Sequence, residues 1–171
     1  MRYPSLSTLP WLAVLPIGGL SSETHASNPH RDPAVTLPNG PRGRATFIGR
    51  SLPGFDQELF LGIKYADEPV RFTPSTLKTV YTTNDSDSGP VRSSSAQRAV
   101  LYNATQYGFD CPGYGSDETN LVEMGLIQLS ENCHNLNIIR PARDSKDDEL
   151  LPVMVWIFGG GWQQGATADP R

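Results

Sequence analysis

Leu150-Leu151-Pro152-Val153-Met154-Val155-Trp156-Ile157-Phe158 runs directly into Gly159-Gly160-Gly161, and this junction decides how the chain is read. A strand with one face in water alternates apolar and polar residues, whereas a strand covered on both faces does not. The unbroken apolar run therefore predicts a central strand of a sheet with helices on both sides, which places the fold in the α/β class. In open sheets of that class, ligands sit at the carboxyl ends of the strands. Three glycines at such an end let backbone N–H groups approach a ligand with no side chain in the way.

Several ligands use glycine-rich strand ends. A Walker loop needs Gly-Lys-Ser/Thr after its spacer, and none follows here. A dinucleotide fingerprint needs G-x-G-x-x-G, but the glycine after Gly161 is Gly165, one residue too far. A flexible turn is the simple structural reading. The functional one that remains is an oxyanion hole, in which paired N–H donors meet a carbonyl oxygen as it becomes an anion.

Upstream the chain reads as short strands and turns. Val35-Thr36-Leu37 is a strand candidate, and Asn39-Gly40 after it is a strong hairpin signal because both residues tolerate positive φ. Arg44 to Ile48 is the expected return strand, Pro53-Gly54 marks a turn, and Glu58 to Tyr65 is a third strand. Together these predict a small antiparallel β-meander leading into the first strands of a central sheet. Residues 82–98, rich in Ser, Thr, Asp and Asn, read as a solvated loop. A start signal at Ser116 with acidic residues behind it predicts a short helix over Asp117–Gln128. Asn135 to Ile139 reads as a strand, and Arg143 to Glu149 as a charged exposed turn.

The 171 residues suit about one domain, and 16 glycines with 15 prolines point to a loop-rich structure. Lys+Arg 14 against Asp+Glu 18 gives a net charge of -4, with no basic stripe to displace counterions from phosphates, which argues against a nucleic-acid partner. Arg2 followed by the apolar stretch Leu9–Leu20 and a cut after Ala26 is the pattern of a secretory signal over 1–26, with a disordered lead-in over 27–34. That stretch falls short of the roughly 20 residues a transmembrane helix needs, and no other segment is apolar enough. Two cysteines, Cys111 and Cys133, and two glycosylation sequons, at Asn84 and Asn103, agree with export and an extracellular location.

Three blocks then resemble one family in order. Phe60-Leu61-Gly62-Ile63-Lys64-Tyr65-Ala66 is similar to its F-x-G-I-P-Y-A block. Glu131-Asn132-Cys133-His134-Asn135-Leu136-Asn137 is similar to its S-E-D-C-L-x-L-N-V signature. Val153 to Trp162 is similar to its oxyanion-hole segment. The family is the type-B carboxylesterases and lipases, with the nearest likeness to secreted fungal members. The resemblance spans about Val35 to Arg171 and implies that residues 35–171 are the N-terminal portion of an α/β-hydrolase domain. It further implies that Gly160 and Gly161 donate to an oxyanion while Gly159 permits the turn, that Cys111 and Cys133 form a disulfide, and that Arg71 and Glu131 form a salt bridge. Free thiols or metal ligation are the alternatives for the cysteines, though adjacent Cys133-His134 is poor ligand spacing. Lys64, Asn132 and His134 stand where the family usually has Pro, Asp and Leu. Tyr114 is the lone aromatic between Tyr107-Gly108-Phe109-Asp110 and Cys133, and with no Trp in the Cys111–Cys133 loop a choline substrate is disfavoured.

The family needs a serine in a G-x-S-x-G elbow, with a histidine and an acid. None occurs here: Gly49-Arg50-Ser51-Leu52-Pro53 lacks the closing glycine, which arrives at Gly54. The expectation is therefore a serine esterase or lipase cut short before its nucleophile and inactive as this chain, acting in intact form on an ester or lipid with no metal or organic cofactor. The other reading is a non-catalytic cholinesterase-like binding or adhesion protein on the same scaffold.

Overall fold

The computed structural model describes residues 32–89, 100–142 and 150–168. The signal, residues 27–31 of the lead-in, the rest of the 82–98 loop from residue 90, the charged turn 143–149 and the last three residues lie outside that range. Two three-stranded sheets form the framework. The first is β1 (Ala34–Pro38), β2 (Arg44–Ile48) and β5 (Val100–Asn103); the second is β3 (Arg50–Leu52), β4 (Gln57–Lys64) and β6 (Asn135–Pro141). One helix, α1 (Ser116–Glu123), stands between β5 and β6 in sequence.

The three strands that the sequence joins into one meander belong to two sheets, and β3, which the sequence reading does not expect, pairs with the third of them. β1 pairs antiparallel with β2, Ala34 opposite Ile48, while β3 pairs antiparallel with β4, Arg50 opposite Leu59. The chain changes sheets at Gly49, whose N–H is taken by Pro33 O at 2.8 Å and whose α-carbon lies so close to Leu59 O and the Phe60 ring that a side chain would collide. β5 then joins β2 in parallel, with Ala45 opposite Val100, a long-range pairing that no local turn signal announces.

The first hairpin also turns differently from the expectation. Its loop runs from Asn39 to Gly43, closed by Asn39 N–H donating to Gly43 O at 2.8 Å. Asn39 keeps a negative φ of -129° and is fully buried. Its amide side chain donates to Tyr81 O at 3.0 Å and accepts from Tyr81 N–H at 2.7 Å. Asn39 thus satisfies a distant backbone instead of making the two-residue turn.

β4 serves both sheets. It pairs with β6 as Phe60 opposite Ile138 and Ile63 opposite Leu136, with the register shifting between them. Inside the shift, Leu61 N–H donates to Ala104 O at 2.8 Å and Gly62 N–H to Asn137 Oδ1 at 2.9 Å, so the strand bends toward the first sheet. Ala45, Phe47, Phe60, Tyr102 and Ala104 make the core, with Val35, Ile63, Tyr81 and Val100 packed against it. The rings of Phe47, Tyr81 and Tyr102 meet with centroids 5.0–5.5 Å apart. Tyr102 Oη donates to Gly62 O at 2.8 Å and accepts Lys64 N–H at 3.1 Å, satisfying two backbone groups beside the bulge. Burial raises its pKa above the ordinary tyrosine value.

Lys64 sits inside the protein with its side chain 3% exposed, paired to Asp87 at 2.7 Å. Asp87 and the buried Ser86 therefore correct the reading of 82–89 as solvated: this part of the loop folds inward to meet the buried ammonium. The helix is shorter than expected because Gly125, φ 69°, ends it. Gly125 N–H donates to Val122 O and Leu126 N–H to Leu121 O, both at 2.9 Å, the paired bonds of a Schellman terminus.

The apolar run departs most from its expectation. Residues 150–158 form no strand, and each is exposed, Trp156 by 82% and Ile157 by 83%. A strand exists by hydrogen bonding to a neighbour, and among the described residues the run has no ladder partner. Apolar composition alone leaves it an exposed arm without regular structure.

Candidate active site

The glycine triplet ends that arm and closes a tight turn. Gly160 O accepts the N–H groups of Gln163 at 3.1 Å and Gln164 at 3.2 Å. Gly160 and Gly161 take φ of 131° and 63°, and Gly160 lies so near Gln164 O that a side chain there would strike it. Glycine is thus required by space as well as by dihedral. The carbonyl of Gly160 is used inside the turn. The N–H groups of Gly160 and Gly161 have no hydrogen-bond partner among the described residues, and both residues are exposed. Chemically, the turn offers two adjacent unspent donors to an anionic oxygen.

Behind the turn stands the disulfide loop. Cys111 and Cys133 are bonded, with Cα atoms 5.0 Å apart, which closes the alternatives of free thiols or metal ligation. From this loop Tyr114 N–H donates to Gln163 O at 2.7 Å. Gly113 approaches the same carbonyl closely, and its N–H is held by both carboxylate oxygens of Glu118 at 2.9 Å. On the other side, Thr167 Oγ1 donates to Asn135 Oδ1 and Asn137 Nδ2 donates to Thr167 O, each at 3.4 Å. Asn137 is the residue that binds Gly62 N–H in β4. The first two sequence blocks thus meet through Gly62 and Asn137, and Asn135 and Asn137 also reach Thr167, downstream of the third block.

Arg71 and Glu131 meet through Nε at 2.8 and 3.1 Å, with Nη2 also on Oε1. The hydrogen bonds from Arg71 lower the Glu131 pKa, and those to Glu131 raise that of Arg71. Both side chains are largely in solvent, 73% and 54% exposed, so the pair ties loop to loop and takes no part in the turn. Asn84 is exposed in a turn. Asn103 is half-buried at the end of β5, its amide donating to Ser88 O at 3.1 Å and accepting Thr105 Oγ1 at 2.8 Å.

Three features of the neighbourhood escaped the sequence reading. Lys64 Nζ also donates to Asn132 O, and the rings of Tyr65 and His134 face each other at 5.8 Å. The departures from the family pattern at 64, 132 and 134 are therefore neighbours, and their clustering in the two blocks was the available signal. Glu118 capping Gly113 had no signal beyond a carboxylate early in the helix.

The sequence profile of the carboxylesterase family matches residues 31–170. The chain belongs to that family. It is 32% identical over 170 residues to liver carboxylesterase 1 of Oryctolagus cuniculus, covering 92% of this chain and 26% of that protein. It is 30% identical over 154 residues to lipase 4 of Diutina rugosa, covering 80% and 24%, and 46% identical over 74 residues to a secreted lipase of Arthroderma benhamiae, covering 43% and 12%. Among solved structures, a thermophilic pNB esterase superposes with a TM-score of 0.51 at 28% identity, over 76% of this chain and 22% of that one. The family member described here spans about a quarter or less of these relatives, and its two sheets fit the N-terminal part of an α/β-hydrolase fold. No helix among the described residues is long and apolar enough to cross a membrane.

Proposed function

We propose that these residues are the oxyanion-binding portion of a secreted carboxylic-ester hydrolase, with Gly160 and Gly161 as the donors and Gly159 permitting the turn. The observation that carries this is the pair of unspent amides on a turn held by the disulfide loop. In ester cleavage, a serine attacks the carbonyl carbon, and the carbonyl oxygen takes up negative charge. Two N–H dipoles aimed at that oxygen lower the barrier, one donor being worth about 3–4 kcal/mol in comparable sites. The acyl-enzyme is then hydrolysed by water. An ester or lipid is the expected substrate. The amides favour this over a binding or adhesion role, which needs no such donors.

The 171 residues contain no G-x-S-x-G elbow, and His134, with Nδ1 unpartnered, faces Tyr65. The chain by itself is therefore expected not to turn over nitrophenyl esters. Export is supported by the leader pattern at 1–26, the disulfide and the exposed sequon at Asn84. The donors can be tested in a chimera in which residues 31–170 replace the matching segment of a para-nitrobenzyl esterase. Gly160→Val in that chimera keeps the backbone N–H but cannot keep the turn, because its side chain meets Gln164 O. The donors are then displaced, and kcat for nitrophenyl butyrate should fall roughly 100- to 1000-fold while the β framework stays folded. A folded chimera indifferent to the substitution would refute the oxyanion assignment.

A further inference from the structure

We propose that the loop closed by Cys111–Cys133 is the positioning element of the glycine turn, with Gly113 as its contact residue; this rests on the oxyanion reading for its purpose, but not for its test. A β-carbon on Gly113 would stand 2.6 Å from Gln163 O and 2.8 Å from Glu118 Oε2, tighter than real contacts allow. The absence of that carbon lets the loop lie against the chain after the glycines, where Tyr114 N–H reaches Gln163 O at 2.7 Å. Gln163 and Gln164 in turn donate to Gly160 O. A continuous path therefore leads from the disulfide through Gly113 and Tyr114 to the peptide that carries the oxyanion donors.

The loop is itself restrained at three points. The disulfide fixes Cys111 to Cys133. Glu118 on α1 holds the Gly113 N–H with both oxygens. Asn135, two residues beyond Cys133, binds Phe109 O at 2.7 Å through its amide, just before the other half-cystine. Residues 150–157 of the arm are exposed and have no ladder partner among the described residues, and its end, Phe158 with Gly159 O, lies close to Gly165. The loop docks on the downstream side of the glycines, through Gln163.

The test is residue-resolved amide hydrogen exchange on the full chain without substrate, comparing the oxidised protein, the reduced protein, Gly113→Ala and Glu118→Gln. Gly113 has no positive φ, so alanine there probes the contact and not the backbone. Losing the Tyr114 bond should speed exchange at Tyr114, Gln163 and Gln164 roughly tenfold or more, the scale of one hydrogen bond. The amides of Leu59 and Phe60 in β4 should be unchanged. Glu118→Gln should act in the same direction more weakly, and it covers the case in which Gly113→Ala does not fold. Unchanged exchange at Gln163 and Gln164 in the reduced protein and in Glu118→Gln would overturn the proposal. So would an equal rise in β4, which would make the loop part of the general scaffold. Neither outcome depends on ester hydrolysis, so this inference and the functional reading can fail separately.

Discussion

The β framework and the arm at 150–158 are both apolar in sequence, yet one is buried and the other lies in water. Phe47, Phe60 and Tyr102 are at most 5% exposed, whereas Met154, Trp156 and Ile157 exceed 80%. Side-chain hydrophobicity does not separate them. The framework strands have their backbone groups paired with neighbours at defined registers, and the arm has none among the described residues. Burial follows pairing, because an unpaired backbone polar group removed from water costs as much as a lost hydrogen bond.

The sharpest way to break the framework is through Lys64. Its ammonium is held by Asp87 at 2.7 Å and by Asn132 O, with the Phe109 ring 5.7 Å away. Lys64→Met leaves Asp87, whose side chain is 10% exposed, with Phe109 N–H as a remaining donor at 3.1 Å. Removing one partner of a buried pair costs about 3–5 kcal/mol, while replacing both by apolar groups is often neutral. Lys64→Met should therefore lower the unfolding free energy in urea by about that amount, and Lys64→Met with Asp87→Leu should recover much of it. A double variant as unstable as the single one would show that the lysine matters for packing alone.

The same contrast explains what was legible in the sequence. β2 alternates buried residues, Ala45 and Phe47, with less buried ones, and Arg44–Ile48 was readable to the residue. The disulfide and the Arg71–Glu131 pair came from the resemblance and stand in the structure. What could not be read depends on distant partners: the parallel pairing of β5 with β2, the use of Asn39 by Tyr81, and the burial of Asp87 against Lys64. Each joins segments dozens of residues apart, and local pattern carries no term for them. The arm overturns its expectation for the same reason in reverse: its unbroken apolar pattern predicts a central strand, but a strand needs a ladder partner, and among the described residues it has none. In the site, Gly159–Gly161 were legible from their neighbours in sequence, but the loop at Gly113 that meets the turn was not.

A smaller effect sharpens the comparison at the framework's edge. Arg71 lowers the Glu131 pKa, so the folded state binds that proton less readily than the unfolded chain. The pair's contribution is then present above the ordinary glutamate range and lost as pH falls through the lowered folded value. Acid titration of the melting temperature should show a slightly steeper decline below that range in the parent than in Glu131→Gln. Identical acid limbs would mean the pair is fully screened, as exposed pairs often are.

The smallest expected change in stability lies in the arm, and it is the one that tests the contrast directly. Trp156→Ser with Ile157→Ser removes two large side chains that touch little of the folded framework, being 82% and 83% exposed. Surface substitutions of this kind usually stay within about 0.5 kcal/mol, so the urea midpoint should hardly move. Self-association should respond instead. A run of exposed apolar residues without Asp, Glu, Lys or Arg is a template for strand pairing between molecules. Sedimentation velocity of the parent chain should show concentration-dependent association that the double variant reduces. A midpoint that falls by several kcal/mol equivalents would mean the arm packs onto the framework in solution, and the division between paired and unpaired apolar segments would be lost.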